Sequence, residues 1–457
     1  MTLYLAYAAP ILAGILLAVG ILWIKAPFFI LAKRSVSLLD LLVSDLDEDE
    51  KFEAVNGQVF KTVGSLLHVL GKLVLVVAIA LLIATWLPQS QNWPEIGGTL
   101  AMILLAIGSL PPFLIPSKKK SDYSDMAQLF HHLVLDNYHL GRKLLQRQIK
   151  GIEAPIEKGV SRVLVTGLAR AGTTALTKEL EKRGPFKSLD YSNMPLLMAP
   201  NLWAKLYKPK RVENKERAHG DGVNVGLASV EALEEYFFKV LKNDSYINEE
   251  GVHEHDLTPE ENDLYRRYTK SLCKEGDIYL AKNNNSIVRL ESLIRLNPDL
   301  KVIVLLRDPV QHAKSLLNQH QRFIRDQQKD RFILTYMDWL GHHEFGLGQR
   351  PFSLTGRESS IVQAKPEHLN YWISEWIQYY NRIKNLDGIT LLSYEKFVQD
   401  PKGTLEAISQ ATTIALNTEN VEVFNKQDRE VLVEENDLHA EAAQLYKSLH
   451  QRCLNEF

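Results

Sequence analysis

Twenty-two residues in a row, Leu3 to Ile24, carry no charge, and this run limits what the first quarter of the chain can fold into. As a helix it is about 33 Å long, enough to cross a hydrocarbon core. The start MTLYLAY lacks the basic residues of a secretory signal, and the run is longer than a signal's apolar region, so it reads as a retained anchor. A second run, Leu73 to Leu87, is 15 residues long and is extended by Val63 to Leu70 across His68 and Lys72, whose polar tips can snorkel. A third runs from Gly97 to Ile115, where Pro111 and Pro112 would kink or end a helix early. These runs predict a membrane region over 1–117 with about three transmembrane helices.

The cations in the short loops set an orientation. Lys25, Lys33, Arg34, Lys51 and Lys61 lie between the first two runs, the link Pro88 to Ile96 has no Lys or Arg, and Lys118, Lys119 and Lys120 follow the third. The positive-inside rule puts the N-terminus outside and everything after Lys118 in the cytoplasm, a multi-pass protein of the inner or plasma membrane. Cys273 and Cys453 stand 180 positions apart with no CxxC partner. They suggest neither a disulfide framework nor a thiolate zinc site, which agrees with a reducing compartment. The acidic stretch Asp45 to Glu53 reads as a solvated loop. With 46% hydrophobic and 24% charged residues the chain can bury a sizeable core, which excludes wholesale disorder. Lys plus Arg number 53 against 55 Asp plus Glu, so no global cationic field draws the protein to nucleic acid.

Beyond the membrane region, residues 118–158 read as a helical linker, with Met126, Phe130, Leu133, Leu144 and Leu145 at helical spacing. From 159 to 457 the pattern becomes short β-rich runs separated by helical stretches: RVLVTGL, DIYLAK, KVIVLLR and GITLLSY. Each is an apolar run bounded by turn residues. The fold class is therefore α/β, a P-loop-like parallel sheet flanked by helices and preceded by the membrane helices. Phe186 to Glu275 is mixed, with an amphipathic stretch at Val230 to Leu241.

The strand VLVT runs into Gly167-Leu-Ala-Arg170-Ala171-Gly172-Thr173-Thr174 and then a helical sequence. A glycine-bracketed turn into a helix N-terminus lets backbone N–H groups converge on a phosphate-like anion. An NTPase loop GxxxxGK[ST] needs Lys after its second glycine, and here that place is Thr173; the cation sits at Arg170. The stretch GLARAGTT resembles the RSGTT loop of sulfotransferases that use 3′-phosphoadenosine 5′-phosphosulfate (PAPS), here of a membrane-anchored, bacterial type. KVIVLLRDP continuing into VQHAKS places Arg307 and Ser315 eight residues apart, similar to the family's 3′-phosphate element. Leu392-Ser-Tyr394-Glu395 with Asp400-Pro401 is similar to its YEDL and DP segment. The resemblance covers roughly Arg162 to Leu416 and departs at Ala171, where many relatives have Ser. In tyrosylprotein sulfotransferases a strand-end Lys neutralises charge near the departing group, and the likeness carries that role to Lys282. It implies donor contacts from Gly167, Arg170, Ala171, Gly172, Thr173, Thr174, Arg307 and Ser315.

Relatives use a carboxylate or a His to take the acceptor's proton. The sequence offers Asp190, His219, Asp221, Glu231 and Glu234 as alternatives; His219, in a cleft-like HGDG loop, and Asp190, whose distance from Arg170 resembles that of the tyrosylprotein branch's catalytic Glu, rank first. His253 with His255 and His342 with His343 lack the i, i+4 spacing of helix-face metal ligands, so no metal is expected. The expected activity is PAPS-dependent transfer of a sulfuryl group to a hydroxyl. The anchor points to an acceptor that is itself membrane-resident, such as a glycolipid or lipid-linked sugar. The alternatives are a membrane-anchored P-loop kinase or NTPase, which the missing loop Lys disfavours, and a noncatalytic nucleotide-binding scaffold.

Overall fold

The computed structural model describes residues 2–43, 48–86, 89, 98–109, 125–154, 159–206, 215–216, 224–225, 232–355, 365–421 and 437–454. They form two compact units, Met1–Leu133 and Val134–Phe457.

In the first unit, α1 (Thr2–Val43) and α2 (Glu48–Leu81) are long helices, α2 passing into a π-helical turn at Leu82–Trp86. Tyr4–Ala32 and Glu53–Trp86 are each long and apolar enough to cross a membrane. The third apolar run forms α3 (Gly98–Ser109), 12 residues. That is about 18 Å of helix, shorter than a hydrocarbon core of about 30 Å. Pro111 and Pro112 lie outside the described residues. Small residues let these helices approach closely. A Cβ on Gly14 would lie 2.0 Å from the Leu105 carbonyl oxygen, and one on Gly108 would lie 2.1 Å from that of Ile11. Ala6, Ala9, Ala13 and Ala18 are buried along α1. Where lipid tails are as apolar as leucine, such close packing is what holds helices together. The ammonium of Lys72 rests 3.9 Å from the centroid of the Trp23 ring. Of the acidic stretch, Glu48 to Glu53 form the first turns of α2, favourable beside the positive end of its dipole.

The region expected as a linker contains two helices, Asp125–Leu135 and α4 (Tyr138–Gln148). Within the second unit α4 is docked rather than free. Gly141 packs against Val240, the Tyr138 hydroxyl donates to Asp244 at 3.1 Å, and Gln148 donates to the Ser271 hydroxyl at 2.9 Å.

The second unit is built on five parallel strands: β1 (Arg162–Thr166), β2 (Phe186–Lys187), β3 (Ile278–Lys282), β4 (Leu300–Leu306) and β5 (Ile389–Ser393), in the order β2-β3-β1-β4-β5. Each of the four expected β-runs contributes a strand. The two faces are separated by residue parity, as a pleated strand requires. Val163, Val165, Ile303 and Leu305 face one apolar core with α5 (Thr173–Arg183) and the Pro401–Thr412 helix. Leu164, Val302, Val304 and Leu306 face the larger core. That core holds α6 (Glu235–Lys242), Pro259–Leu272, α7 (Pro309–Lys329), α8 (Leu369–Lys384) and Asp437–His450. A sheet covered on both faces reads as continuous apolar runs, which is why the strands were legible. Its order reverses beside β1, and in such sheets the crevice for ligands opens at the carboxyl ends there.

At the amino ends, the Arg162 guanidinium is paired with Asp299, and Ser161 also donates to that carboxylate. The two side chains are 2% and 6% exposed, so the pair is desolvated and each charge depends on the other. Asp299→Ala should therefore cost roughly 3–5 kcal/mol by leaving Arg162 uncompensated, whereas replacing both residues with apolar ones of similar volume should cost far less. Denaturant midpoints of the two variants check this.

Candidate functional site

β1 ends at Thr166, and the chain turns through Gly167 (φ +146°), Arg170 (φ +71°) and Gly172 (φ +95°) before α5 begins at Thr173. Three positive φ values in six residues make a tight turn, and at Gly172 space is closed as well. A Cβ there would lie 2.5 Å from the Tyr394 ring. Gly172 is the N-cap and brings no side chain to cap the helix. The first helical bond is Leu176 N–H to the Gly172 carbonyl, so the amides of Thr173, Thr174 and Ala175 have no acceptor within the helix. These donors at the positive end of a helix dipole are suited to an anion. Ala171 is different. Its methyl is in the core and its N–H donates to the Leu168 carbonyl at 3.1 Å, so the structure does not bring it into the group of open donors.

Arg170 and the element after β4 meet. Arg170 Nε donates to Ser315 Oγ at 3.3 Å, and Arg307 Nη1 donates to the Arg170 carbonyl at 2.9 Å. The Arg307 guanidinium carbon lies 4.6 Å from the centroid of the Tyr394 ring. Tyr394 is thus clamped between the Gly172 turn and Arg307. The neighbouring Glu395 accepts the Asp308 amide at 2.9 Å and fixes the turn from β4 into α7. This gives the Ser-Tyr-Glu motif a physical task.

His312, on the first turn of α7, joins the same assembly. Its Nε2 is 2.7 Å from the Ala169 carbonyl, which can only accept, so that nitrogen carries the proton. Burial first, and then the charges of Arg307 and Arg170, push the imidazole down to about 3, so it stays neutral and adds no repulsion.

Lys282 ends β3 level with Val165 and is buried. The three asparagines after it each reach a different partner. Asn283 donates to Glu235 at 2.9 Å, Asn284 accepts from Thr173 Oγ1 at 3.4 Å, and Asn285 donates to the Gly341 carbonyl at 2.7 Å. The last of these brings up the loop His342–Phe345. His342 Nδ1 is 3.7 Å from Glu344 Oε2, with the side chains 18% and 12% exposed. Burial would raise the Glu344 carboxyl, but His342, its own backbone N–H and the charge of Lys282 outweigh it and hold it down to about 2.

Of the expected proton acceptors, His219, Asp221 and Glu231 lie outside the described residues. Asp190 is half-buried and is an N-cap: its Oδ1 accepts the Ser192 amide at 2.8 Å and the Ser192 hydroxyl. Glu234 is corrected by the structure. It is buried in the core, accepting from the Tyr265 hydroxyl at 2.9 Å, and is not open to an acceptor. The other histidines have plain partners. His255 Nε2 accepts from Arg289 Nε at 3.0 Å and its Nδ1 is 3.1 Å from the His253 carbonyl, while His253 Nε2 is 2.9 Å from Asn248.

Residues 162–417, more than half of the chain, match the family model described as the sulfotransferase family. The chain belongs to the sulfotransferase family. Among solved structures it is similar to the sulfotransferase STF1 of Mycobacterium tuberculosis H37Rv, at 14% identity over 73% of this chain and 94% of that one, with a TM-score of 0.33. It is also similar to the sulfotransferase STF9 of Mycobacterium avium, at 13% identity over 79% and 86% of the two chains, TM-score 0.36. A sulfotransferase from Alicyclobacillus acidocaldarius shares 14% identity over 65% and 97%, TM-score 0.32. No curated protein sequence matches the chain. The matched region contains all of the strand-end residues described above.

Burial of Glu234, opposed only in part by its hydrogen bond to Tyr265 and the Arg289 charge, pushes its carboxyl up to about 7. A carboxyl raised on folding contributes stability that is present below its ordinary range near pH 4.5 and is lost as pH rises through about 7. Glu234→Gln has no proton to lose. Its melting temperature relative to the parent protein should therefore climb between pH 5 and pH 8, as read by differential scanning fluorimetry.

Proposed function

We propose that this sulfotransferase moves a sulfuryl group from 3′-phosphoadenosine 5′-phosphosulfate to a hydroxyl of a membrane-resident acceptor, a glycolipid or lipid-linked sugar. The observation that carries the reading is the contact between two anion-binding elements: Arg170, from the turn after β1, reaches Ser315, while Arg307 reaches back to the Arg170 carbonyl. The donor has charge at both ends, a 5′-phosphosulfate and a 3′-phosphate. In this reading the amides of Thr173 and Thr174 and the open turn at Gly167 and Gly172 receive the first. Arg307 and Ser315 take the second, with Arg170 between them. Among the described residues Arg307 contacts the Arg170 carbonyl and the Tyr394 ring, neither of which neutralises it.

The chemistry follows from charge. The acceptor oxygen attacks sulfur in line with the bridging oxygen, a new S–O bond forms, and the bond from sulfur to the phosphate oxygen breaks. The electron pair leaves on adenosine 3′,5′-bisphosphate. In a loose transition state of this kind, positioning and charge stabilisation supply most of the acceleration. In this reading Lys282 and the helix amides meet the charge that grows on the phosphate, and a metal forms no part of the proposal. A kinase would need a Lys at Thr173 to reach the terminal phosphates. The catalytic unit is proposed to face the cytoplasm, where the nucleotide is made, and to act on acceptors held in the same bilayer by α1 and α2.

Arg307→Ala should abolish the preference for adenosine 3′,5′-bisphosphate over adenosine 5′-monophosphate in calorimetry, weakening the former by about 1.5–3 kcal/mol, the worth of a charge-assisted hydrogen bond. Arg170→Ala should abolish label transfer from sulfur-35 donor to a membrane lipid extract. Tighter binding of ATP with Mg²⁺ than of the bisphosphate, or label appearing only in soluble acceptors, would refute the assignment.

A further inference from the structure

The loop His342–Phe345 follows the helix Arg331–Trp339 and serves no part of the donor site described above. Its place is nevertheless set by that site. Asn285, three residues beyond Lys282, holds the Gly341 carbonyl at 2.7 Å, and Asn284 in the same turn accepts from Thr173 of the anion turn. The loop is therefore sutured beside the end of β3, where the departing group is proposed to lie. Within it His342 presents Nδ1 to Glu344 at 3.7 Å, leaving Nε2 as its other ring nitrogen, and both side chains are mostly but not wholly covered.

We propose that His342 is the general base that accepts the acceptor's proton through Nε2, and that Glu344 is the positioning residue that orients its ring and stabilises the imidazolium. The proposal rests on the sulfotransferase reading above. The acceptor O–H bond breaks as the S–O bond forms, the proton passes to His342, and the bisphosphate leaves with its electron pair, so no further reactant is needed. The hydrogen bond to His342, its own backbone N–H and the charge of Lys282 all hold the Glu344 carboxyl low. Lys239, Asp338 and Arg350 face the neighbouring His343. Asp190, the rival candidate among the described residues, uses Oδ1 to cap its own turn and has Glu181 as a like-charged neighbour.

The test uses the full chain in lipid nanodiscs made with a total membrane lipid extract, sulfur-35 donor as the probe, and calorimetry with adenosine 3′,5′-bisphosphate. His342→Ala should lower kcat by about 10²–10⁴-fold, the usual contribution of a general base, while bisphosphate affinity stays within about twofold. Added imidazole should restore part of the rate. Glu344→Gln should lower kcat while KM and bisphosphate affinity stay near the parent values, and Glu344→Asp should recover most of the rate. Near-normal kcat in His342→Ala, or a rate loss matched by lost nucleotide affinity and no rescue, overturns the assignment and leaves the donor reading intact. Failure of the parent protein to transfer label overturns the donor reading and this inference with it.

Discussion

The second unit depends on one buried ion pair. Glu235 and Arg289 are both fully covered and are joined by two hydrogen bonds, of 2.7 and 2.8 Å. Burial alone would raise the Glu235 carboxyl, but Arg289, the Tyr246 hydroxyl and the Asn283 amide reverse the direction and keep it ionised. The guanidinium also lies 4.1 Å from the centroid of the Phe238 ring, so each polar edge and its flat face has a partner. Attraction in a pair this dry offsets the desolvation of both charges only where the geometry is good and further hydrogen bonds satisfy the remaining lone pairs and protons. The satisfied geometry then fixes the turn Asn283–Asn285, which in turn fixes the anion turn through Thr173 and the His342 loop through Gly341.

The strand-end site is consequently cationic and preorganised. Arg170, Lys282 and Arg307 follow three adjacent strands, and the residues that fix these turns include the neutral His312 and Tyr394 and the carboxylate of Glu395. His312 is uncharged because burial and the two arginines forbid a third cation, and it still donates a hydrogen bond to the turn. The Tyr394 ring offers its negative face to Arg307 without neutralising it. Fixed donors that need no reorganisation stabilise developing charge more effectively than mobile ones.

How much of this was legible follows from where each signal resides. The four buried strands and the turn Gly167–Thr174 are local patterns, carried by residues within about a dozen positions, so composition and glycine placement were enough to locate them. Arg307 and Ser315 are spaced across one strand-to-helix turn, and it was the resemblance to the sulfotransferase element that singled them out. Ala171 could not be sorted from its neighbours, because whether an amide is open depends on the Leu168 carbonyl folding back onto it. Glu234 stood in sequence among several candidate proton acceptors, and only the fold shows it in the core beside Tyr265. The segment expected to link the units carries the same helical periodicity whether it is free or docked, and only contacts with residues distant in sequence, such as Gly141 with Val240, Tyr138 with Asp244 and Gln148 with Ser271, distinguish the two.

The sequence by itself determined the uncharged runs that demand an apolar setting, the parallel α/β class and the glycine-bracketed turn from β1 into α5, since each follows from hydrophobic period and backbone freedom over short stretches. Only the tertiary structure decided which polar residues share the strand ends. Asn283, His312, Tyr394 and Glu344 are scattered over more than a hundred positions, and their roles arise from partners brought together by sheet order and burial. Charge and hydrogen-bond energies depend on distance and desolvation in three dimensions, which spacing along a chain does not encode.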